Sequence, residues 1–191
     1  MTKRIPGRFG LSPVRDVQVL TPMLRGACGT TALNERLQAA LNPEGPSVRR
    51  GTRTLRLRDK VMQLRNDYER EVYNGDVGFV SKVDEEAREL TVTFEGREVA
   101  YEENDLDELV LAYATSIHKS QGSEYPAVVV PLLTQHFVML SRNLLYTAVT
   151  RGKRLVTLVA DPRAVGIALG EVRREQRSTW LAAKLREAVR G

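Results

Sequence analysis

Cysteine and histidine are almost missing from this chain of 191 residues: Cys28, His118 and His136 are all it has of either. One thiol and two imidazoles cannot assemble a zinc site of the usual Cys/His kind, and one cysteine cannot build a disulfide scaffold. No metal site is expected. No apolar run approaches the ~18 residues that a membrane-crossing helix needs. The opening MTKRIPGRFGL is basic but has neither the apolar core nor the small-residue cleavage site of a secretory leader. The chain is therefore expected to avoid membranes and to work in a reducing cytoplasm. Fourteen glycines and eight prolines are too few for a collagen-like or low-complexity chain. What is present is 42% hydrophobic and 28% charged, enough apolar material for a real core.

The net charge of +5 conceals a strong asymmetry. Residues 1–58 carry +8, residues 59–110 carry −10, and residues 111–191 carry +7. A basic body interrupted by an acidic middle suggests an inserted module. The basic flanks suit phosphates, since each Lys or Arg that displaces a counterion adds salt-dependent affinity for nucleic acid. They equally suit an ordinary solvated surface.

The hydrophobic period changes at the same places. Residues 1–16 read as an extended lead-in, with Pro6 and Pro13 against regular structure. Val17 to Thr21 is a strand, and Thr30 to Leu41 a helix with Leu33, Leu37, Ala40 and Leu41 on one face. Alternating segments then follow at 60–65, 77–83, 90–94 and 97–101, with turn residues such as Asn74-Gly75 and Glu95-Gly96 between them. Short strands packed that closely predict a small β-barrel. Beyond Leu109 the buried-strand runs LAYAT (111–115), AVVVPL (127–132) and RLVTLVA (154–160) return, with a helix over 142–149. Asp161 is placed to cap a helix starting at Pro162, and the spacing of Trp180, Leu181, Leu185 and Val189 predicts a last amphipathic helix over 171–191.

Three segments carry the candidate chemistry: TPMLRGACGTTALN (21–34), YATSIHKSQGSEYPAVVVP (113–131) and NLLYTAVTRGKRL (143–155). Each borders a buried strand, and in an α/β sheet such loops are expected to converge on one edge. In the second, hydroxyls, Lys119 and free amides at a helix start suit phosphates, and Gly122 lets backbone approach a ligand. A hydrophilic connecting loop has the same composition. In the third, Arg151 lies between a helix and a buried strand, where an arginine can neutralise charge on a transferred phosphoryl group. A surface arginine in the cluster Arg151, Lys153, Arg154 fits the residues alone equally well.

Taken together and in this order, the three segments resemble the C-terminal part of RecD-like DNA helicases of superfamily 1, which include the exodeoxyribonuclease V alpha subunit and its stand-alone relatives. The resemblance runs over residues 4–165, with HKSQGSE (118–124) and YTAVTR (146–151) its most specific parts. It implies an α/β fold, a second RecA-like motor domain of parallel-sheet type formed by 1–50 and 110–170, interrupted by an SH3-like barrel over 51–109. It implies that Thr115, Ser116, His118 and Lys119 lie near a single-stranded DNA path, with Thr21, Pro22, Arg25, Gly26 and Asn34 as further DNA-facing residues. It implies nucleotide contacts at Gly122, Glu124 and Arg151, with Arg151 the catalytic arginine finger.

A phosphate-binding G-x-x-x-x-G-K-[ST] loop is missing; the nearest stretch, Gly26 to Thr30, has no lysine, and no Walker B motif accompanies it. The chain thus supplies half an ATP site and is expected to hydrolyse no ATP alone. The resemblance implies that ATP and Mg²⁺ are held mainly by an N-terminal motor domain of the same protein. It also implies single-stranded DNA as the substrate, 5′-to-3′ unwinding, and possible nuclease or helicase subunits of a repair complex as companions in a prokaryotic cytoplasm. A stand-alone nucleic-acid or protein binding module with the barrel as its contact surface is the alternative, as is a fragment of a Pif1-like or conjugative-relaxase helicase.

Overall fold

The computed structural model describes residue 1 and residues 3–170, so the helix expected over 171–191 lies outside the described residues. The chain opens with α1 (Arg4–Phe9) rather than an extended lead-in. Pro6 is tolerated because it falls in the first helical turn, whose N–H groups have no intrahelical partner anyway. Gly10, at φ 65°, closes the helix by donating its N–H to Pro6 O at 2.9 Å.

β1 (Val17–Thr21) and α2 (Thr30–Leu41) follow as the periodicity predicts. Next comes a hairpin, β2 (Ser47–Arg50) and β3 (Arg53–Arg56), then β4 (Lys60–Gln63), β5 (Val77–Asp84), β6 (Glu89–Phe94), β7 (Arg97–Tyr101) and β8 (Leu109–Leu111). The chain ends with β9 (Ala114–Ser116), β10 (Tyr125–Leu132), α3 (Arg142–Val149), β11 (Gly152–Ala160) and α4 (Pro162–Gly170). Asp161 caps α4 by accepting the Arg163 N–H at 2.8 Å.

Two sheets result. The first is parallel throughout, in the order β11-β10-β1-β9. Every residue of β1 is buried, as expected for an interior strand covered on both faces. Alternation along β10 sends Val128 and Val130 to the face packed by Leu144, Ala148, Ala164 and Ala168 of α3 and α4. Ala127 goes to the other face, with Ile5 of α1 and Leu11. The second sheet is antiparallel, in the order β7-β6-β5-β4-β8, and closes with the β2–β3 hairpin over one apolar cluster that includes Val48, Leu55, Val61, Val92 and Tyr101. Parallel sheet and closed antiparallel unit together are the α/β architecture with inserted barrel that the resemblance implies.

The run 111–115 is not one strand. Leu109–Leu111 pairs antiparallel with β4, whereas Ala114–Ser116 pairs parallel with β1. Ala112 and Tyr113 carry the chain from one sheet to the other, Ala112 N–H donating to Lys60 O at 2.8 Å and Tyr113 O accepting from Val19 N–H at 3.1 Å. The antiparallel unit therefore begins at Ser47 and closes at Leu111, both outside the 51–109 span read from the sequence.

Candidate functional site

The candidate residues separate into two groups at opposite edges of the parallel sheet, not one. Because the strands are all parallel, the loops after β1 and β9 leave from their carboxyl ends, while the chain re-enters β10 and β11 from their amino ends. Convergence on a single edge, expected from the sequence, fails for that reason.

At the amino end, Tyr125 pairs with Gly152, and Tyr125 N–H donates to Arg151 O at 2.8 Å. The Arg151 guanidinium donates to Thr147 O at 3.3 Å, Ser123 O at 3.1 Å and Thr150 Oγ1 at 3.3 Å. It is thus tied both to the last turn of α3 and to the segment entering β10. Glu124 is exposed and accepts from Lys153 Nζ at 2.9 Å. The Lys153 ammonium, and more weakly Arg151, hold its carboxyl below the usual range. Gly122, at φ 88°, is exposed on the same turn. Arg151, Glu124 and Gly122 are therefore neighbours.

At the carboxyl end, residues 22–29 fold back over the start of α2. Thr21 is fully buried and gives its hydroxyl to Cys28 O at 2.6 Å, and Pro22 is buried beside it. Gly29 is pressed onto the loop: a Cβ there would lie 2.5 Å from the Arg25 carbonyl. Arg25 and Gly26 face solvent at the tip. Asn34 bonds the edge strand through both ends of its amide, donating to Ala114 O at 2.9 Å and accepting from Ala114 N–H at 2.8 Å. It fastens α2 to β9, keeps one amide N–H uncommitted among the described residues, and borders the cleft beside β9.

Residues 117–122 form successive turns, not the start of a helix. Thr115 and Ser116 are buried, and Ser116 Oγ accepts from Lys119 N–H at 3.2 Å. His118 and Lys119 are exposed. His118 and Gln121 border a cavity of about 530 Å³ against Asn143 and Thr147 of α3, while Lys119 and Ser116 border a second of about 400 Å³. The far wall of that second cleft is the β2–β3 hairpin, with Arg53 and Arg56.

The junction of core and barrel is polar and buried. Asp59, fully buried, accepts from Gln38 Nε2 at 2.5 Å, Asn42 Nδ2 at 2.7 Å, Arg56 N–H at 2.7 Å and Tyr113 Oη at 2.7 Å. Burial, then the Asp59 charge, raise the Tyr113 phenol above its ordinary value. Next to it, Lys60 reaches the parallel sheet, its Nζ 3.4 Å from Val17 O and 5.6 Å from the Tyr125 ring centre. Burial pushes this ammonium down to about 8, against a weaker upward pull from Asp16.

The architecture matches known proteins over most of its length. Residues 33–94 match the ATP-dependent RecD-like DNA helicase SH3 domain, and residues 111–159 match the UvrD-like helicase C-terminal domain. The chain is 42% identical over 170 residues to the ATP-dependent RecD2 DNA helicase of Deinococcus radiodurans, spanning 89% of this chain and 23% of that protein. It is 32% identical over 148 residues to the RecBCD enzyme subunit RecD of Haemophilus influenzae, spanning 78% of this chain and 22% of that one. The chain thus spans about a quarter of the length of these relatives. Among solved structures, Bacteroides Pif1 helicase in complex with ADP-AlF3 and single-stranded DNA shares the fold, with TM-score 0.59 at 18% identity over 96% of this chain and 47% of that one. Two helicase domain types in this order, on a parallel sheet interrupted by an antiparallel barrel, place the chain with the C-terminal region of the RecD-like DNA helicases.

Proposed function

We propose that this chain is the second motor domain and barrel of an ATP-dependent helicase that moves 5′ to 3′ on DNA. In this reading an N-terminal motor domain of the same protein holds ATP and Mg²⁺, and Arg151 completes the site. The carrying observation is the seating of Arg151: three acceptors, one to each guanidinium nitrogen, fix the group at the rim of the parallel sheet, beside Glu124 and Gly122, and leave one N–H on each terminal nitrogen uncommitted. ATP supplies the energy of stepping when bound between the two domains. Arg151 offers fixed positive charge to its γ-phosphate, while Gly122 and Glu124 meet the sugar–phosphate side. At the opposite edge Arg25, His118 and Lys119 take the strand's phosphates, and the buried Thr21, Pro22, Asn34, Thr115 and Ser116 shape the walls that carry them.

Steady-state ATPase of the protein that includes its N-terminal motor domain, with saturating single-stranded DNA, tests the assignment. Arg151→Ala should lower kcat by ~10³-fold or more, in the range of arginine fingers, and leave DNA affinity nearly intact. Arg151→Lys should recover little, because an ammonium lacks the planar fork that grips two oxygens. Near-normal turnover in Arg151→Ala would reduce this arginine to a brace between α3 and the Ser123 turn.

A further inference from the structure

We infer that Lys60 of the barrel and Tyr125 of the parallel sheet form a positioning pair for Arg151, the lysine seating the aromatic ring and the ring seating the segment that grips the arginine. The inference rests on the preceding reading of Arg151, and adds to it a support that reaches the arginine from the barrel.

Arg151 is gripped twice by one short segment. Its carbonyl oxygen accepts from the Tyr125 N–H at 2.8 Å, and its Nη1 donates to Ser123 O at 3.1 Å. The regular ladder does not reach that segment undisturbed. Tyr125 pairs with Gly152 and Ala127 with Leu155, so two steps along β10 answer three along β11, and the extra residue forms a bulge. A bulge re-aims the side chain beside it and interrupts the pairing that would otherwise anchor the strand end. Gly152 fits there only without a side chain, a Cβ lying 2.5 Å from Val156 Cγ2 and 3.0 Å from Leu155 O. Holding residues 123–125 in place falls to the side chain of Tyr125.

That side chain is half-buried against the apolar cluster of Leu20, Val128 and Leu144, and it takes a charged contact from the barrel. The Lys60 Nζ stands over its ring, 5.6 Å from the centre, with Val17 O at 3.4 Å as the other acceptor. Lys60 is buried, so its desolvated ammonium gains more from the negative face of the ring than it would at a surface. At the far end of the ring, burial raises the Tyr125 phenol while the Ser123 hydroxyl and the Arg151 charge pull it back, so that end faces the arginine.

The cost of the lysine points the same way. Burial lowers its pKa to about 8, so near neutral pH the fold carries a charge that it would be more stable without. A destabilising group kept beside the nucleotide edge fits a gain in activity set against a loss of stability.

Steady-state ATPase near neutral pH, on the protein that includes its N-terminal motor domain and with saturating single-stranded DNA, tests this. Tyr125→Leu removes the ring and should lower kcat about ten- to hundredfold, since a misplacement of about 1 Å is enough for the larger figure. KM for ATP should stay nearly constant, because the displaced charge acts in the transition state. Lys60→Met keeps the length of the side chain, loses the charge, and should lower kcat about three- to tenfold, the fold-change of a cation–π contact. Its urea midpoint should be at or above that of wild type, and a slower but no less stable protein excludes a merely structural role. Tyr125→Phe keeps the ring beneath the ammonium and should recover most of the turnover. In an Arg151→Ala background neither Tyr125→Leu nor Lys60→Met should add a further loss, because both act through that arginine. Normal kcat in Tyr125→Leu and Lys60→Met, beside a slow Arg151→Ala, would overturn the positioning pair and leave the motor-domain reading standing. Undiminished losses in the Arg151→Ala background, or a Tyr125→Phe variant as slow as Tyr125→Leu, would overturn it too. Near-normal turnover in Arg151→Ala itself would overturn the pair and the reading beneath it together.

Discussion

Lys60 shows how one residue records the meeting of two substructures. A lysine that opens a barrel strand would ordinarily end in water, but here the parallel sheet lies over it and leaves it 2% exposed. Its folded-state pKa of about 8 lies below the usual 10.5, so the direction of the pH effect follows. Below about pH 8 both states hold the proton, and the folded state carries the full cost of a buried charge. Between about 8 and 10.5 the unfolded chain still binds a proton that the folded chain has lost, so stability rises with pH across that window. The gain amounts to about 3 kcal/mol when complete. Tyr101 and Tyr113, whose phenols burial raises, act in the opposite direction above about pH 10, so a variant must isolate the lysine. Lys60→Met should be more stable than wild type in urea unfolding at about pH 7, with the difference shrinking steadily towards about pH 10. A difference independent of pH would mean that the ammonium is solvated after all.

At the scale of elements, the loop between β1 and α2 depends on one glycine. An alanine at Gly29 would put its Cβ 2.5 Å from the Arg25 carbonyl and 2.6 Å from Leu24 O, both backbone, so the loop and not a side chain has to move. Gly29→Ala should cost about 1–3 kcal/mol, the range for overpacking a tight site. It should also shift Arg25, weakening single-strand binding as well as lowering the Tm. A variant that loses stability but keeps wild-type affinity would remove Arg25 from the strand's path. Most elements were legible beforehand, β1 as a short apolar run and β5 to β7 and α3 from their period; α2 lies where expected, but long-range bonds to Ala114 and Asp59 bury Asn34 and Gln38 in place of the expected face of Leu33, Leu37, Ala40 and Leu41. The β2–β3 hairpin was not, because its arginines hide the alternation of Val48 and Leu55, and the partner of Arg53, Asp107, lies far along the chain. The run at 111–115 looks like one strand because it is apolar throughout, and only the two sheets decide where it breaks. The segments around Lys119 and Arg151 could be read from their motifs; their placement at opposite sheet edges could not, since strand direction is a property of the assembled sheet.

For the whole molecule, the question is whether core and barrel behave as two bodies or one. Their apolar clusters are distinct, Val61 and Tyr101 belonging to one and Val128 and Leu144 to another. Two clusters on their own would melt separately. The junction argues otherwise, because Asp59 on the barrel side gathers donors from Gln38 and Asn42 of α2 and from Tyr113 in the crossing segment. Asp59, Gln38 and Tyr113 are buried and Asn42 is half-buried, so separating the bodies strands a buried carboxylate and its donors together, each unsatisfied group costing about 1–3 kcal/mol. Lys60 adds its contacts to Val17 and Tyr125 on the same seam. Wild type should therefore unfold in one calorimetric transition, with van't Hoff and calorimetric enthalpies equal. Asp59→Ala removes the common acceptor while leaving both apolar clusters intact. It should lower stability by about 3 kcal/mol or more and divide the transition in two, with the barrel and the parallel core losing hydrogen-exchange protection at different temperatures. Two transitions already present in the wild type would show that the seam is too weak to couple them. A single transition in Asp59→Ala would move the coupling onto other links between the two bodies, among them Lys60, the Ala112–Tyr113 crossing and the bonds from Gln38 to Thr54 O and from Asn42 to Leu57 O.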